Sequence, residues 1–178
     1  MSHDEVTNGC GAATRAPGMM TIGKGAPLFT THDYHVTVTG TDAKTGILRA
    51  PVDGLPEIPV ASPPEFGGPE QVWSPEHLFV AAIAACLMTT FRSMAASSGV
   101  EVIEYRDHST GHLSQEESGL YSIDRVTLRP TVTISPDSRL DRAERLLEKA
   151  EQVCLIGRSV CSDTTLEATV LQPHHVGT

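Results

Sequence analysis

The sequence predicts an α+β domain, and three observations support that prediction. Short segments rich in β-branched residues alternate between apolar and polar positions on both sides of the chain's centre. Two longer stretches have helical character, one apolar on every face and one with a single apolar stripe. The order is strands, helix, strands, helix, strand, and this grouping favours antiparallel sheets packed on two helices.

Composition limits the size of the domain and its partners. The chain has 178 residues, of which 39% are hydrophobic, enough for one ordinary domain. Its 22 acidic and 13 basic residues give a net charge of −9, which disfavours nucleic acid and anionic membranes as partners. Residues 1–20 contain no apolar signal segment, and the apolar run of residues 78–88 is shorter than the ~20 residues of a membrane span. We therefore expect a soluble, cytoplasmic protein.

The first part of the chain divides into an arm and the beginning of a domain. Residues 1–30 are rich in Gly, Ala, Thr and Pro without a period, which is typical of a loose N-terminal arm. We place a single domain over residues 31–178. Within it, residues 35–39 predict a strand and residues 47–49 the return strand, and the prolines of residues 51–69 indicate a long irregular loop.

The strongest helix signal follows that loop. Ser74 is a suitable N-cap, Pro75 suits the first helical position, and Glu76 places negative charge in the first turn. Residues 78–91 are apolar or small almost all round, which predicts a central helix buried on every face. We expect this helix to end near Gly99.

Strand-like segments make up most of the chain after this helix. Residues 100–105 predict a strand that leads into a hairpin through Gly111. Residues 119–134 predict further strands, in which Pro130 marks a bulge or an edge position. Residues 164–171 alternate and predict one final strand.

A second helix separates the last two of these segments. Ser138 with Asp141 resembles a capping box at its start. Apolar residues at steps of three and four then form one stripe from Leu140 to Cys154. Gly157 marks a plausible end, so Cys154 is expected to lie on the buried face of the helix.

Cys86 and Cys154 are the residues in which chemistry and packing compete as explanations. Each on its own is most simply a small buried hydrophobic residue. Two cysteines on the inward faces of packed helices can also meet, and a disulfide requires Cα atoms about 4.4–6.8 Å apart. No CxxC pair occurs, and the histidine pairs lack a third ligand at convincing spacing, so we predict no metal and no cofactor.

Activation of Cys86 requires groups that its own helix does not supply. A cysteine in the middle of a helix needs a nearby cation to ionise near neutral pH, and Lys44, Arg49 and Arg158 are available. Glu76 lies ten residues before Cys86, about 15 Å along one helix. A site that uses both residues is therefore expected to combine two subunits. On spacing alone, Glu76 is most simply a carboxylate that favours the helix dipole.

A family resemblance is carried by the two helices. Residues 74–79 (SPEHLF) followed by residues 84–86 (AAC), with Gly67-Gly68 upstream, resemble the central-helix signature of the OsmC/Ohr family, the osmotically inducible protein C and organic hydroperoxide resistance proteins. Residues 140–154 resemble the second family helix, and the likeness spans roughly residues 34–172. It implies antiparallel sheets around two core helices in an intertwined homodimer, and a thiol peroxidase activity on organic hydroperoxides.

The resemblance also implies roles for individual residues. Cys86 matches the peroxidatic cysteine, Cys154 the resolving cysteine and Glu76 the carboxylate of the site. The family's arginine from the first hairpin has no clear match, and Arg49 or Lys44 is the candidate cation. Residues 155–157 (LIG) stand where the family has Pro-x-Ser after the second cysteine.

The expected reaction joins these roles to an apolar substrate. Cys86 attacks an organic hydroperoxide, Cys154 closes a disulfide, and a dithiol reductant restores both thiols. Burial of the organic part is expected against four apolar neighbours of the cysteine, namely Phe79, Ile83, Leu87 and Met88. The alternative is a non-catalytic dimer of the same fold that binds a small apolar ligand and uses both cysteines structurally.

Overall fold

The computed structural model describes residues 32–40, 45–50 and 54–173, and its strands and helices belong to one unit that begins at Val36. The predicted arm of residues 1–30 lies outside the described residues. In chain order the elements are β1 Thr37–Gly40, β2 Thr45–Arg49, β3 Ile58–Ala61, α1 Pro75–Ser97, β4 Val102–Asp107, β5 Thr110–Gln115, β6 Tyr121–Leu128, β7 Pro130–Ile134, α2 Leu140–Val153, β8 Asp163–Leu166 and β9 Thr169–Leu171.

The strands form three sheets of three strands each within the described part of the chain. Their orders are β1-β2-β3, β4-β7-β9 and β5-β6-β8. The α+β class is confirmed, but two of the three sheets are mixed, because β8 pairs with β6 and β9 with β7 in parallel. The expected single last strand is in fact two, since residues 164–171 contribute to two different sheets.

Two further strand predictions are wrong for identifiable reasons. No hairpin joins β4 to β5 through Gly111, because β4 pairs with β7 and β5 with β6. The segment predicted as an irregular loop contains β3, whose strand pattern is interrupted by Pro59. Proline is tolerated there because β3 lies at the edge of its sheet.

Helix α1 begins where the sequence predicts, and one of its faces builds the core. Ser74 caps it by accepting the His77 N–H at 3.3 Å, and Gly99 follows its end with φ 69°. The buried face of the helix consists of four fully buried side chains spaced four residues apart: Ile83, Leu87, Phe91 and Ala95. The expectation of burial on every face is wrong for the single chain, because Ala82, Ala85 and Thr89 on the other side are exposed.

Helix α1 is longer than the apolar run of residues 78–88, from which we judged the segment too short to span a membrane. The helix has 23 residues, and an 18-residue stretch of it has a mean hydropathy of 1.7, so length and composition alone would allow it to cross a membrane. Its buried face instead packs against strands and α2 of the same domain. We therefore assign it as a core helix.

Helix α2 packs across α1 and ends at the second cysteine. Its buried residues Ala143, Leu147 and Ala150 continue to Cys154, which is the first residue beyond the helix rather than part of it. The predicted capping box is wrong, because α2 begins after Arg139 without a side-chain cap. The Ser138 hydroxyl is used elsewhere, accepting the Glu101 N–H at 2.9 Å.

Candidate functional site

The contact between α1 and the end of α2 brings the two cysteines together. Cys86 lies half-buried in the middle of α1, and Cys154 is 2% exposed at the end of α2. Both are free thiols, and they lie close enough for each to shift the pKa of the other. The Cys154 sulfur also lies 4.0 Å from the Ile83 carbonyl oxygen, which ties it to α1. The geometry thus pairs the residues that the resemblance matches to a redox pair.

The surroundings give the two thiols different acidities. Burial by itself raises the pKa of Cys86, but hydrogen bonds from the Ile156 N–H, the Cys154 thiol and the Thr90 hydroxyl outweigh it and leave the pKa lowered. The Ile156 nitrogen lies 3.5 Å from the Cys86 sulfur. Burial raises the pKa of Cys154 to about 11, although the Gly157 N–H donates to its sulfur at 3.4 Å. Cys86 is therefore the thiol that ionises first.

The cations that were expected to activate Cys86 have other partners or lie elsewhere in the structure. The Arg49 guanidinium donates to Glu57 at 2.6 Å across the edge of the first sheet, and both side chains are half-exposed. Arg158 is exposed, and its main-chain N–H donates to the Cys154 carbonyl at 3.0 Å. Lys44 lies outside the described residues. Burial raises the pKa of Cys86, and the groups that lower it are amides, a thiol and a hydroxyl, with no cation of the described residues among them.

Sequence reasoning missed the amide donors because main-chain N–H groups carry no residue signature. Every residue except proline has one, so a pattern of side chains cannot identify which of them points at a sulfur. The available signal was indirect. Gly157 indicated that α2 ends near Cys154, and a helix end releases amides from the regular i→i−4 pattern.

Glu76 lies in the first turn of α1 and is not satisfied within the chain. Its Oε2 atom is buried and has no hydrogen-bond partner among the described residues. A buried carboxylate oxygen without a partner is unfavourable, because the lost hydration is not replaced. Within one chain Glu76 and Cys86 are ten residues apart on a helix, about 15 Å, so the structure does not bring them together.

A cavity of about 750 Å³ opens beside Glu76. Its apolar lining includes Trp73, Val80 and Ile123. Gly111 on β5 lets that strand approach α1 closely, since a Cβ at this position would lie 2.6 Å from Val80 Cγ2. The cavity thus combines a largely hydrophobic wall with three carboxylates, those of Glu65, Glu76 and Asp107.

The four predicted substrate contacts divide by their burial. Ile83 and Leu87 are 0% exposed and fill the core. Phe79 and Met88 are only partly buried. In this conformation a substrate could reach the second pair but not the first.

The metal-ligating side chains of the described residues are dispersed and do not form a cluster. No group of three or more His, Cys, Asp or Glu side chains there is close enough to hold a metal ion. His32 and His35 are described, whereas His174 and His175 lie outside the described residues.

Comparisons with known proteins agree with this architecture. The family model of the OsmC-like proteins matches residues 68–169. The uncharacterised protein YmaD of Bacillus subtilis is 27% identical over 111 residues, which are 61% of this chain and 73% of that protein. An OsmC-like protein of unknown function from Vibrio cholerae superposes with a TM-score of 0.70 at 27% identity, covering 78% of this chain and 99% of that one.

A second solved structure shows the same fold at lower identity. It is an organic hydroperoxide resistance protein from Elizabethkingia anophelis, with crystallant-derived thiocyanate bound. The TM-score is 0.64 at 24% identity, covering 82% of this chain and 100% of that one. The two helices and the surrounding sheets are therefore a shared framework, and the site chemistry must be argued from the residues of this chain.

Proposed function

The chain belongs to the OsmC-like protein family, and on that premise we propose that it is a cysteine-based thiol peroxidase that reduces organic hydroperoxides. The observation that carries the proposal is the pair of neighbouring free thiols, Cys86 with a lowered pKa and Cys154 with a raised one. A peroxidase needs one thiolate to attack and a second thiol close enough to close a disulfide. The naming of a relative as a hydroperoxide resistance protein supports the same chemistry.

The first step is attack of the Cys86 thiolate on the terminal oxygen of the hydroperoxide. A sulfur–oxygen bond forms, the O–O bond breaks, and the leaving alkoxide takes up a proton to become an alcohol. Sulfur is oxidised by two electrons to a sulfenic acid, and the peroxide is reduced by the same two. The lowered pKa of Cys86 favours this step because the thiolate is the nucleophile.

In the second step the Cys154 thiol condenses with the sulfenic acid. The disulfide forms, the S–O bond breaks, and the hydroxyl leaves as water with the Cys154 proton. The proximity of the two thiols supports this step. An external dithiol then reduces the disulfide through a mixed disulfide and is itself oxidised. We place this cycle in the cytoplasm, where such reductants are maintained.

We propose that the working form is the intertwined homodimer. Three features of the single chain support a second copy: the exposed side of α1 at Ala82 and Ala85, the fully exposed strand β1, and the unpartnered oxygen of Glu76. In a dimer Glu76 of one chain would serve the Cys86 site of the other. A cation from the first hairpin, Arg49 or Lys44, would be available to that carboxylate.

We propose that Phe79 and Met88 contact the organic part of the substrate. Both are partly buried apolar side chains on α1, on either side of Cys86 in the sequence. Ile83 and Leu87 support this surface from within the core. Burial of an alkyl or aryl group against such residues favours organic hydroperoxides over hydrogen peroxide, which has no apolar surface to bury.

Steady-state turnover tests this proposal. Purified protein with a dithiol reductant is given cumene hydroperoxide or hydrogen peroxide, and peroxide loss is followed. We expect faster consumption of cumene hydroperoxide, and loss of both activities in Cys86→Ser. Consumption that is absent, or unchanged in that variant, would contradict the proposal.

The cavity beside Glu76 favours one second candidate, binding of a small apolar ligand without catalysis. Trp73 is the only tryptophan of the chain, is 52% exposed and lines this cavity, so its fluorescence reports occupancy. Saturable quenching by cumyl alcohol, combined with thiols that do not react with hydroperoxide, would favour this second function. Rapid thiol oxidation would favour the first.

A further inference from the structure

The sulfur of Cys86 is surrounded by neutral hydrogen-bond donors. The Ile156 N–H donates to it at 3.5 Å. The Leu155 N–H, the Thr90 hydroxyl and the Cys154 thiol lie close enough to lower the pKa of Cys86 as further donors. These donors come from two sides, one from α1 itself and the others from the residues that begin at Cys154.

The chain path explains why two consecutive amides are free to point at this sulfur. Inside a helix the N–H groups of residues 155 and 156 would bond carbonyls four residues earlier. Cys154 leaves the helical conformation with φ −54° and ψ 117°, which turns the following amides away from α2. The turn is held by two main-chain bonds, Arg158 N–H to the Cys154 carbonyl at 3.0 Å and Ser159 N–H to the Ile156 carbonyl at 2.9 Å.

We propose that the main-chain N–H groups of Leu155 and Ile156, together with the Thr90 hydroxyl, are the catalytic donors that stabilise the Cys86 thiolate, in the role otherwise filled by a cation. Fixed dipoles aimed at a charge in a partly buried site stabilise it without reorganising when it forms. These donors favour the ionised sulfur over the neutral thiol, which opposes the effect of burial. The lowered pKa of Cys86 agrees with this balance.

One turn of chain then serves both halves of the reaction. It carries Cys154, which closes the disulfide, and the amides that prepare Cys86 for attack. This link between activation and resolution rests on the proposed peroxidase function. The stabilisation of the thiolate does not, because any electrophile that reacts with thiolates can measure it.

The test uses the full-length protein and iodoacetamide, with mass spectrometry to separate labelling of Cys86 from that of Cys154. The alkylation rate of Cys86 is measured against pH in Ile156→Pro and Ile156→Ala. Both variants lose the side chain, but only the first loses the N–H, and the native φ of −68° at this residue suits proline. Since one neutral hydrogen bond is worth about 1 kcal/mol net, we expect alkylation at pH 7 to be about fivefold slower in the proline variant.

Adjacent threonines provide a second, side-chain test. Thr90→Val removes a donor to the Cys86 sulfur. Thr89→Val is its matched control, because the Thr89 hydroxyl donates instead to the carbonyls of Ala85 and Cys86, at 3.0 and 3.1 Å. We expect the pH profile of Cys86 alkylation to move to higher pH in Thr90→Val and to remain at the wild-type position in Thr89→Val.

The outcomes separate this proposal from the proposed function. Superimposable profiles for Ile156→Pro and Ile156→Ala, or for the two valine variants, would overturn the proposal. If Ile156→Pro does not fold by circular dichroism, the threonine pair decides. If the profiles shift as expected while wild-type protein ignores cumene hydroperoxide, the thiolate stabilisation stands and the peroxidase function fails.

Discussion

The middle and the first turn of α1 differ in whether the polar side chains there find partners within one chain. At the middle, Cys86 is paired with Cys154 and receives donors from the turn that follows α2. At the first turn, Glu76 has a buried oxygen with no partner among the described residues, beside a cavity of about 750 Å³. The same helix therefore carries one site that is assembled within the chain and one that is incomplete.

This difference teaches which part of the proposed reaction depends on a second subunit. The redox pair forms from two helices that pack together in the core, so its geometry follows from the fold. The carboxylate lies about 15 Å from its own chain's Cys86, and our proposal therefore assigns it to the site of another copy. Variants at the middle and at the first turn of the helix should consequently fail in different ways.

Removal of the Cys86 sulfur should have the largest effect. Cys86→Ser lacks the nucleophile, and we expect hydroperoxide turnover to fall by roughly a thousandfold or more. Turnover is measured with cumene hydroperoxide and an excess of dithiol. A Cys10→Ser/Cys161→Ser variant serves as the control and should retain turnover. If Cys86→Ser keeps full turnover, the assignment of the nucleophile is wrong.

Removal of the second sulfur should stop the cycle at a later point. In Cys154→Ser we expect the first attack to proceed and a sulfenic acid to accumulate, since no resolving thiol can condense with it. Mass spectrometry after dimedone treatment detects this product on Cys86. Two results in this variant would contradict the resolving role of Cys154. One is formation of a disulfide by Cys86, and the other is full turnover in a buffer that contains no monothiol.

Substitution of Glu76 should have a smaller effect and should reveal the subunit arrangement. We expect Glu76→Gln to lower turnover by roughly ten- to a hundredfold through misplaced groups in the partner's site. The position of Cys86 within its own chain should be unaffected, so the pH profile of its alkylation should change less than its turnover.

Mixed dimers sharpen this test. Co-expressed Cys86→Ser and Glu76→Gln chains form dimers in which one site combines the intact Cys86 of one chain with the intact Glu76 of the other. Random pairing should restore about a quarter of wild-type turnover, because half of the dimers are mixed and one of their two sites is intact. No restoration would show that no shared site exists.

The pH dependence should be the smallest effect. Because the pKa of Cys86 is lowered, the reactive thiolate is present at lower pH than in an ordinary cysteine, whose pKa is about 8.5. The rate of the first step should rise with pH and become level above the apparent pKa. Cys154, with its pKa raised to about 11, remains a thiol over this range. Stopped-flow measurement of disulfide formation checks this, and a rate that falls as pH rises would contradict it.

The sequence predicted the parts of the fold that local signals determine. Ser74 and Pro75 placed the start of α1 correctly because capping chemistry acts within one turn. Ser138 misled the same reasoning, because its hydroxyl bonds the distant amide of Glu101 instead of its own helix. Residues 164–171 looked like one strand because alternation cannot show that the chain changes sheets between β8 and β9.

The candidate site was predictable in its side chains and not in its main chain. Cys86 and Cys154 were found from helical spacing and from the family resemblance. The pairing of Arg49 with Glu57 depends on strand register, which the sequence does not reveal. Leu155 stands where the resemblance leads one to expect proline, and only the structure shows that its N–H points to the Cys86 sulfur.

The most direct test of the peroxidase account is a single-turnover thiol count in the Cys10→Ser/Cys161→Ser background. Reduced protein receives one equivalent of cumene hydroperoxide without any reductant, and the remaining thiols and cross-linked peptides are identified by mass spectrometry. The account predicts rapid loss of both thiols and a Cys86–Cys154 disulfide. Two unchanged thiols would contradict the peroxidase function and leave a thiol pair that only packs.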